Sequence, residues 1–284
     1  MKSKTIGPNI SAKISVYVLT KNSGKDLQVA LESVKSFASE IIIADGYSTD
    51  NTLKIAEDYG CKVFQKKFEG FDIERNYAIS KCTNEWIFEI DSDEEIDKEM
   101  QENIIETLKN PKHEVYKIKR KDFFLKRPLC ELTLIRLYKK GSLHYIGATH
   151  EQVSFDKKVK IGRLKGFCYH RADDTDYIFQ SINKWDVETE REIMSPKRFG
   201  KKRMSRIKLA YFILIYPIIY VLGLLFYKRF IFKGMNAIIW AICSGFYMFL
   251  IYAKYYEVYY LKVRGFDKNN IEFKWDKPKN IKHK

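Results

Sequence analysis

The stretch EWIFEIDSDEE, residues 85–95, decides how the chain is expected to fold and where it is expected to act. Residues 86–90 form a short run rich in residues that favour β-structure, which predicts a buried strand. Four carboxylates follow within five residues, and they cannot all be buried and ionised without countercharges. Because side chains alternate along an extended chain, Asp91 and Asp93 are expected to point the same way. The stretch therefore predicts a buried strand that ends in an acidic site.

The pair Asp91 and Asp93 is a candidate metal site. Carboxylate oxygens are ligands that Mg²⁺ and Mn²⁺ accept readily, and a nucleotide diphosphate would supply the remaining ligands. We therefore predict that both aspartates bind Mg²⁺ or Mn²⁺. The alternative is a solvated acidic turn that caps the helix after it.

Strand-like and helix-like segments alternate before this stretch. The apolar spacing predicts strands at residues 14–20, 40–44 and 61–65. It predicts helices at residues 25–37 and 72–81, and a further helix that follows residues 45–52 and reaches residue 59. Such alternation specifies an α/β fold, with a Rossmann-like, mostly parallel sheet and flanking helices. Ligands bind outside the carboxyl ends of such strands, where Asn22, Asp45 and the acidic pair fall. The sequence lacks the glycine motifs of dinucleotide-binding folds and of P-loop proteins, which argues against both classes.

The composition limits which partners and which cellular compartment are expected for this chain. Lysine and arginine number 51 against 36 acidic residues, a net charge of +15 that favours a phosphorylated substrate or an anionic membrane. Nucleic acid is not expected, because the basic excess brackets apolar stretches. The five cysteines are scattered along the chain, which predicts that the protein lies in a reducing compartment and argues against a zinc site. Residues 1–13 lack the apolar run of a signal peptide, so we expect the front of the chain in the cytosol.

The C-terminal third has the character of a membrane-associated region. Residues 196–208 carry seven basic residues and no acid, and two uncharged stretches follow at 209–227 and 234–253. Roughly 20 apolar residues suffice to span a bilayer, but the basic loop between the stretches disfavours a hairpin with that loop outside. We favour helices that lie in the cytoplasmic interface or re-enter it, with a spanning hairpin as the alternative.

The middle of the chain is expected to hold the second half of the site. Alternation predicts strands at 113–121 and 132–139, a loop at 122–128, a strand ending at 166–171 and a helix at 173–194. Arg136 lies among apolar neighbours, and we favour a structural salt bridge over a phosphate contact. His170 fits a structural role at a domain junction as well as a role in the pocket.

Four segments in this order resemble one known family. They are residues 14–22, DGYSTDNT at 45–52, RNYA at 75–78, and residues 86–95. Together they resemble the nucleotide-sugar half of family 2 glycosyltransferases, which have the GT-A fold. FEGF at 68–71, DSDE at 91–94 and His150-Glu151 resemble the branch with lipopolysaccharide-core glucosyltransferases. The resemblance covers residues 14 to about 260.

The resemblance implies roles for individual residues. Asp45 and Arg75 would contact the nucleoside, and Thr20, Asn22, Asp91 and His150 would also bind substrate. The acidic Glu151 would be the general base of an inverting transfer. The chain departs from common members at Asp45-Gly46, where they carry paired aspartates, and at Ile73-Glu74.

Simpler roles remain open for the same side chains. Asp45 and Asn22 fit a turn between a strand and a helix, and Arg75 fits a helix surface. His150 and Glu151 fit a structural pair.

These patterns predict a glycosyltransferase on the cytoplasmic face of a membrane. Residues 1–110 would bind a nucleotide-sugar, most simply a UDP-sugar, and residues 111–195 a glycan or glycolipid acceptor. Residues 196–284 would contact the anionic membrane surface. The alternative is a non-catalytic membrane adaptor that keeps a degenerate sugar-nucleotide fold.

Overall fold

The structure, a computed structural model, describes residues 13–146, 152–155, 158–172 and 204–261. The chain divides into two compact units, Met1–Thr175 and Asp176–Lys284, which are described separately. His150, Glu151 and the helix predicted at 173–194 lie outside the described residues.

The first unit alternates strands and helices along its N-terminal part. The strands are β1 Ile14–Thr20, β2 Glu40–Asp45, β3 Lys62–Gln65, β4 Trp86–Glu89, β5 Glu94–Ile96, β6 Val115–Phe124, β7 Arg127–Lys139, β8 His144–Ile146, β9 Gln152–Ser154 and β10 Ile161–Ala172. The helices are α1 Leu27–Val34, α2 Thr52–Asp58, α3 Phe71–Lys81 and α4 Lys98–Lys109.

Eight of these strands form one sheet in the order β3-β2-β1-β4-β7-β6-β10-β5. The pairs from β3 to β4 are parallel, as are β6 and β10, whereas β7 and β5 run antiparallel to their neighbours. The predicted Rossmann-like sheet with flanking helices is therefore confirmed, with a mixed second half. Strands β8 and β9 pair separately.

Helices cover both faces of the sheet, because successive side chains of a strand point to opposite faces. Val16 and Ile43 lie in a buried cluster with residues of α1 and α4, and Tyr17 and Ile42 lie in a second one with residues of α3. Strands covered on both faces bury nearly every side chain, which explains the continuous apolar runs of β1 and β2.

The loop predicted at residues 122–128 is wrong. Strand β6 continues to Phe124 and β7 begins at Arg127, so the two strands form a hairpin with a two-residue connection. Leu125 and Lys126 both adopt positive φ angles, 50° and 60°, as a tight hairpin turn of this kind requires. Neither residue is a glycine or asparagine, so the usual sequence signal of such a turn is missing.

The second unit consists mainly of apolar helices. They are α5 Arg206–Leu214, α6 Tyr216–Leu222 with a π-helical end at Gly223–Tyr227, a 3₁₀ turn at Phe230–Phe232, and α7 Met235–Tyr256 with a π-helical end at Glu257–Leu261. Leu209 packs on Ile251 and Tyr252 of α7. Other apolar side chains face outward, among them Ile207 and Tyr227, 86% and 84% exposed.

Two segments of this unit, Arg206–Tyr227 and Met235–Leu261, are long and apolar enough to cross a membrane, judged by length and composition alone. This supports membrane-associated helices. Whether they span the bilayer or lie in its interface stays a prediction.

Candidate active site

Asp45 ends β2 and organises the turn that follows it. Its Oδ1 accepts hydrogen bonds from Thr20 Oγ1 at 2.9 Å and Ser48 Oγ at 2.5 Å, and its Oδ2 accepts from Ser48 N at 2.9 Å and Gln65 Nε2 at 3.0 Å. Burial raises the pKa of Asp45, but these hydrogen bonds outweigh burial and lower it. A carboxylate has about four acceptor positions. In this structure Asp45 therefore holds the turn, and its contact with a nucleoside stays a prediction.

Asn22 ties the end of β1 to the same turn. Its Oδ1 accepts a hydrogen bond from Thr49 N at 2.8 Å, and its own backbone N–H donates to Ser48 Oγ at 2.8 Å. Its φ of 51° lies in the left-handed region, which asparagine tolerates better than most residues. The turn role predicted as an alternative is therefore what the described contacts bear out.

Glu89, a charged residue inside the apolar strand β4, is the centre of a buried network. It is 2% exposed, and its Oε2 accepts from Tyr17 and, at 2.6 Å, from Tyr145. Its Oε1 accepts from both Arg75 and Arg136. A carboxylate bracketed by Phe88 and Ile90 was the signal in the sequence that could have identified this residue.

Asp91 is held by the same two arginines. Arg136 Nη2 lies 2.7 Å from its Oδ2, and Arg75 Nη2 lies 3.4 Å from its Oδ1. Burial raises the pKa of Asp91, but the attraction of Arg136 and then Arg75 outweighs burial and holds the pKa well below its usual range. Asp91 is therefore ionised throughout the physiological range.

The network continues through Glu94, at the start of β5. Its Oε1 accepts from Arg136 Nη2 and Arg120 Nη1, each at 2.8 Å. Arg120 Nε in turn lies 2.7 Å from Asp122 Oδ1. The predicted structural salt bridge of Arg136 is thus confirmed, and its partners are three carboxylates of β4, β5 and the segment between them.

Asp93 and His170 close the chain of charges. His170 Nε2 lies 3.4 Å from Asp93 Oδ2, and its Nδ1 lies 3.6 Å from Asp122 Oδ1. Burial lowers the pKa of His170, but Asp122 and Asp93 outweigh burial and raise it to about 10. His170 is brought here because it pairs with Glu94 across β10 and β5.

The described network has an excess of negative charge. Its five carboxylates face three arginines and His170, whose raised pKa keeps it protonated at neutral pH, which leaves one negative charge when every carboxylate is ionised. The carboxylates are Glu89, Asp91, Asp93, Glu94 and Asp122, and the arginines are Arg75, Arg120 and Arg136. A divalent cation that displaced the proton of His170 would carry the charge that balances the network.

The structure brings some of the predicted site residues together. Arg75 and Asp91 are in contact, and Asp93 joins the same network at its far end through His170. Thr20, Asn22 and Asp45 instead build a turn at the ends of β1 and β2. Arg75 is buried and paired with carboxylates, so its predicted alternative as a surface arginine is wrong. The roles of His150 and Glu151 remain predictions.

Comparison with known proteins identifies the family. The family model for glycosyl transferase family 2 matches residues 15–174. An uncharacterized glycosyltransferase of Rickettsia typhi is 31% identical over 266 residues, 87% of each chain. The lipopolysaccharide core biosynthesis glycosyltransferase LpsC of Rhizobium meliloti is 25% identical over 265 residues, 88% of this chain and 94% of that one.

Among solved structures, residues 1–349 of S. aureus TarS in complex with UDP superpose with a TM-score of 0.45. The identity is 16%, and 94% of this chain and 98% of that chain are covered. The family resemblance predicted from the sequence is confirmed by the family model and the relatives. Because that model covers more than half of the chain, the protein belongs to family 2 of the glycosyl transferases and is a glycosyltransferase.

Proposed function

We propose that the enzyme moves a sugar from a nucleotide-diphospho-sugar, most simply a UDP-sugar, to a hydroxyl group of a membrane-associated glycan or glycolipid. The reaction would need a divalent metal and would invert the anomeric centre. The observation that carries this proposal is the negatively charged network at the carboxyl end of β4. Ligands of parallel α/β sheets bind at such strand ends.

The donor set of this network fits a divalent cation. Asp93 and, once its proton is displaced by the metal, His170 offer a carboxylate and an imidazole, a combination that Mn²⁺ accepts, and the side chain of Asp93 is 37% exposed. Asp122 lies behind His170, as a carboxylate often does behind a metal-binding histidine. Asp91 is already held by two arginines, so Asp93 would be the main carboxylate ligand.

The donor would complete this metal site. Among the described residues, no group of three histidine, cysteine or acidic side chains is arranged to hold an ion by itself. Mg²⁺ and Mn²⁺ commonly combine one or two carboxylates with substrate phosphates. When bound, the cation stabilises the negative charge of the departing diphosphate.

Protein side chains would perform the remaining tasks. Thr20, Asn22 and Asp45 would shape the turn against which the nucleoside lies, and Arg75 would act by fixing Asp91. Glu151 would remove the proton of the acceptor hydroxyl, with His150 orienting it or binding the acceptor.

Two separate observations support the proposed acceptor and the proposed location of the enzyme. LpsC is named a lipopolysaccharide core biosynthesis glycosyltransferase, which supports a cell-envelope glycan as acceptor. The two apolar segments support an enzyme attached to the membrane. The basic residues around them favour its anionic cytoplasmic surface.

A donor-binding experiment with a matched control tests this function. Thermal stabilisation of the detergent-solubilised protein is measured against a panel of nucleotide-sugars with Mn²⁺. We expect Asp93→Asn to abolish stabilisation that depends on Mn²⁺, whereas Asp58→Asn, a change at an exposed aspartate of α2, keeps it. Undiminished sugar transfer by Asp93→Asn would overturn the metal site. Binding of a donor without release of the nucleoside diphosphate in the presence of acceptor would instead favour the adaptor.

The general base is tested separately. Glu151→Gln keeps the size of the side chain but removes its charge, so turnover should fall roughly 10²–10⁴-fold while donor affinity is unchanged. Single-turnover kinetics and donor titration measure the two quantities. A parallel loss of donor affinity would mean that Glu151 holds the site together. Turnover near normal would point to Asp173 or Asp174 as the base.

A further inference from the structure

The face of the sheet turned away from Arg120 and His170 carries a row of cations. In β6 the side chains of Lys117, Lys119 and Lys121 alternate with those of Ile118 and Arg120, so the three lysines share one face. Strand β10 adds Arg163, which is the cross-strand partner of Lys117, and Lys165, which lies in the bulge after Arg163 and is exposed. The basic stripe is the set Lys117, Lys119, Lys121, Arg163 and Lys165.

The stripe makes no ion pair among the described residues, although Glu131 of β7 is the cross-strand partner of Lys121. Among the described residues, none of its five cationic groups has a carboxylate oxygen within 4.0 Å, and Lys119, Arg163 and Lys165 are exposed. Residues 157–172 contain six basic residues and no acid. Like charges placed side by side on a sheet destabilise it. A row of cations without ion-pair partners among the described residues is typical of a surface that binds anions.

Aromatic rings lie between the cations. Lys121 Nζ lies 3.5 Å and Lys119 Nζ 5.7 Å from the centre of the Phe167 ring, and Phe167 is followed on the same face by Tyr169. The ring supports both lysine side chains through cation–π contact, which holds their ammonium groups in place. Partly exposed aromatic rings beside lysines are characteristic of protein surfaces at the headgroup level of a bilayer.

The geometry of the stripe favours a planar partner. Cations recur every two residues along a strand, roughly 7 Å apart, and neighbouring strands lie roughly 4.8 Å apart. They therefore form a flat array on a sheet and do not converge on one point as ligands of a single phosphate would. The second unit independently supplies two segments that are long and apolar enough to cross a membrane, judged by length and composition alone, which supports a bilayer as the planar partner.

We propose that the basic stripe is a second membrane-contact surface, in the catalytic unit itself, that binds the phosphate headgroups of anionic lipids. It would act in addition to the apolar helices and would orient the catalytic unit on the bilayer. This contact does not depend on the identity of the transferred sugar or on the metal site.

Lysine footprinting of the full-length protein tests the proposal. The protein is reconstituted into vesicles of phosphatidylcholine alone or with one part in three of phosphatidylglycerol, and acetylation rates of individual lysines are read by mass spectrometry. We expect acetylation of Lys119 and Lys165 to fall roughly fivefold in the anionic vesicles, since each headgroup-level lysine is attracted by about that factor. Lys54 and Lys98, exposed on α2 and α4, serve as internal controls and should not change. Salt at 1 M should remove the protection, because it screens charges beyond roughly 3 Å.

A variant in which two lysines of the stripe are neutralised provides a second test. In Lys119→Gln with Lys121→Gln, the protection of Lys165 should be lost, whereas the matched variant Lys54→Gln with Lys98→Gln should keep it. Equal acetylation rates in neutral and anionic vesicles would overturn the proposal. So would the same protection by inorganic phosphate or by RNA in neutral vesicles, which would assign the stripe to a soluble phosphate compound or to a polynucleotide.

Discussion

Buried carboxylates are compensated differently at the two ends of the parallel strands. At the amino end of β2, Glu40 accepts from Ser15 Oγ at 2.5 Å, from Thr83 N at 2.6 Å and Oγ1 at 2.8 Å, and pairs with Lys62 at 2.7 Å. One carboxylate is thus surrounded by neutral donors and one cation. At the carboxyl end, carboxylates outnumber arginines and share them. At the amino end the charge of Glu40 is compensated by its own partners and stabilises the fold. At the carboxyl end an excess of negative charge remains that a ligand could balance.

Among the changes considered, the removal of Arg136 should destabilise the network at the carboxyl end of the strands the most. Arg136→Met leaves Glu89, Asp91 and Glu94 with fewer countercharges, and removing one partner of a buried ion pair costs about 3–5 kcal/mol. Thermal unfolding should shift downward by roughly 10 °C or more. The matched change Arg127→Met, at an exposed residue of the same strand, should have little effect. A shift as small as that of Arg127→Met would show that the network does not depend on Arg136.

The amino end should respond to pH through Glu40. Burial raises the pKa of Glu40, but Lys62, Ser15 and Thr83 outweigh burial and lower it to about 2 from an ordinary 4.5. Because the pKa is lower in the folded state, the stabilisation is complete above about pH 4.5 and is lost as the pH falls toward 2. We expect about 2 kcal/mol, allowing for solvent screening at Lys62, which is 56% exposed.

Glu40→Gln measures this contribution. At pH 7 the variant should unfold earlier than the wild type, and the gap should narrow at pH 3. Donor affinity should be unchanged, because Glu40 lies at the opposite end of the strands from Asp91. A gap that is equal at both pH values would mean that the charge of Glu40 contributes nothing.

The smallest expected effect concerns Asp122, a positioning residue for His170. Loss of a carboxylate behind a metal-binding histidine lowers metal affinity by about 10-fold at the low end of observed effects. Asp122→Asn should therefore raise the Mn²⁺ concentration needed for half-maximal activity by about that factor. The maximal rate at saturating Mn²⁺ should stay close to normal. Glu131→Gln, at an exposed residue of β7, is the control, and an unchanged Mn²⁺ requirement in Asp122→Asn would remove Asp122 from this role.

The local part of the fold could be predicted from the sequence. The apolar runs of β1, β2 and β4 are continuous, so their burial and their parallel pairing follow from local pattern. Arg136 could be recognised as structural because a lone arginine among apolar neighbours needs a carboxylate partner. These features depend on residues that are close together in the sequence.

The partners in the network could not be predicted in the same way. Strand β5 has three residues, two of them glutamates, and reads as the end of an acidic turn. It becomes a strand only because residues 168–170 of β10 pair with it. Arg120 likewise meets Glu94 across 26 residues. Such pairings depend on the order of strands in the sheet, which a local pattern does not encode.

The order of the charges along the chain has a consequence for biosynthesis. Glu89, Asp91 and Glu94 are synthesised before Arg120, Arg136 and His170. At roughly 5–20 residues per second, the acidic strand end leaves the ribosome roughly 4–15 s before the histidine that completes it. The parallel strands β3-β2-β1-β4 and the three arginines are already available at that time, so a nascent chain that stalls before β10 lacks only His170 and the strand that pairs with β5. The site where this enzyme is expected to bind its donor is therefore completed only when β10 has been synthesised.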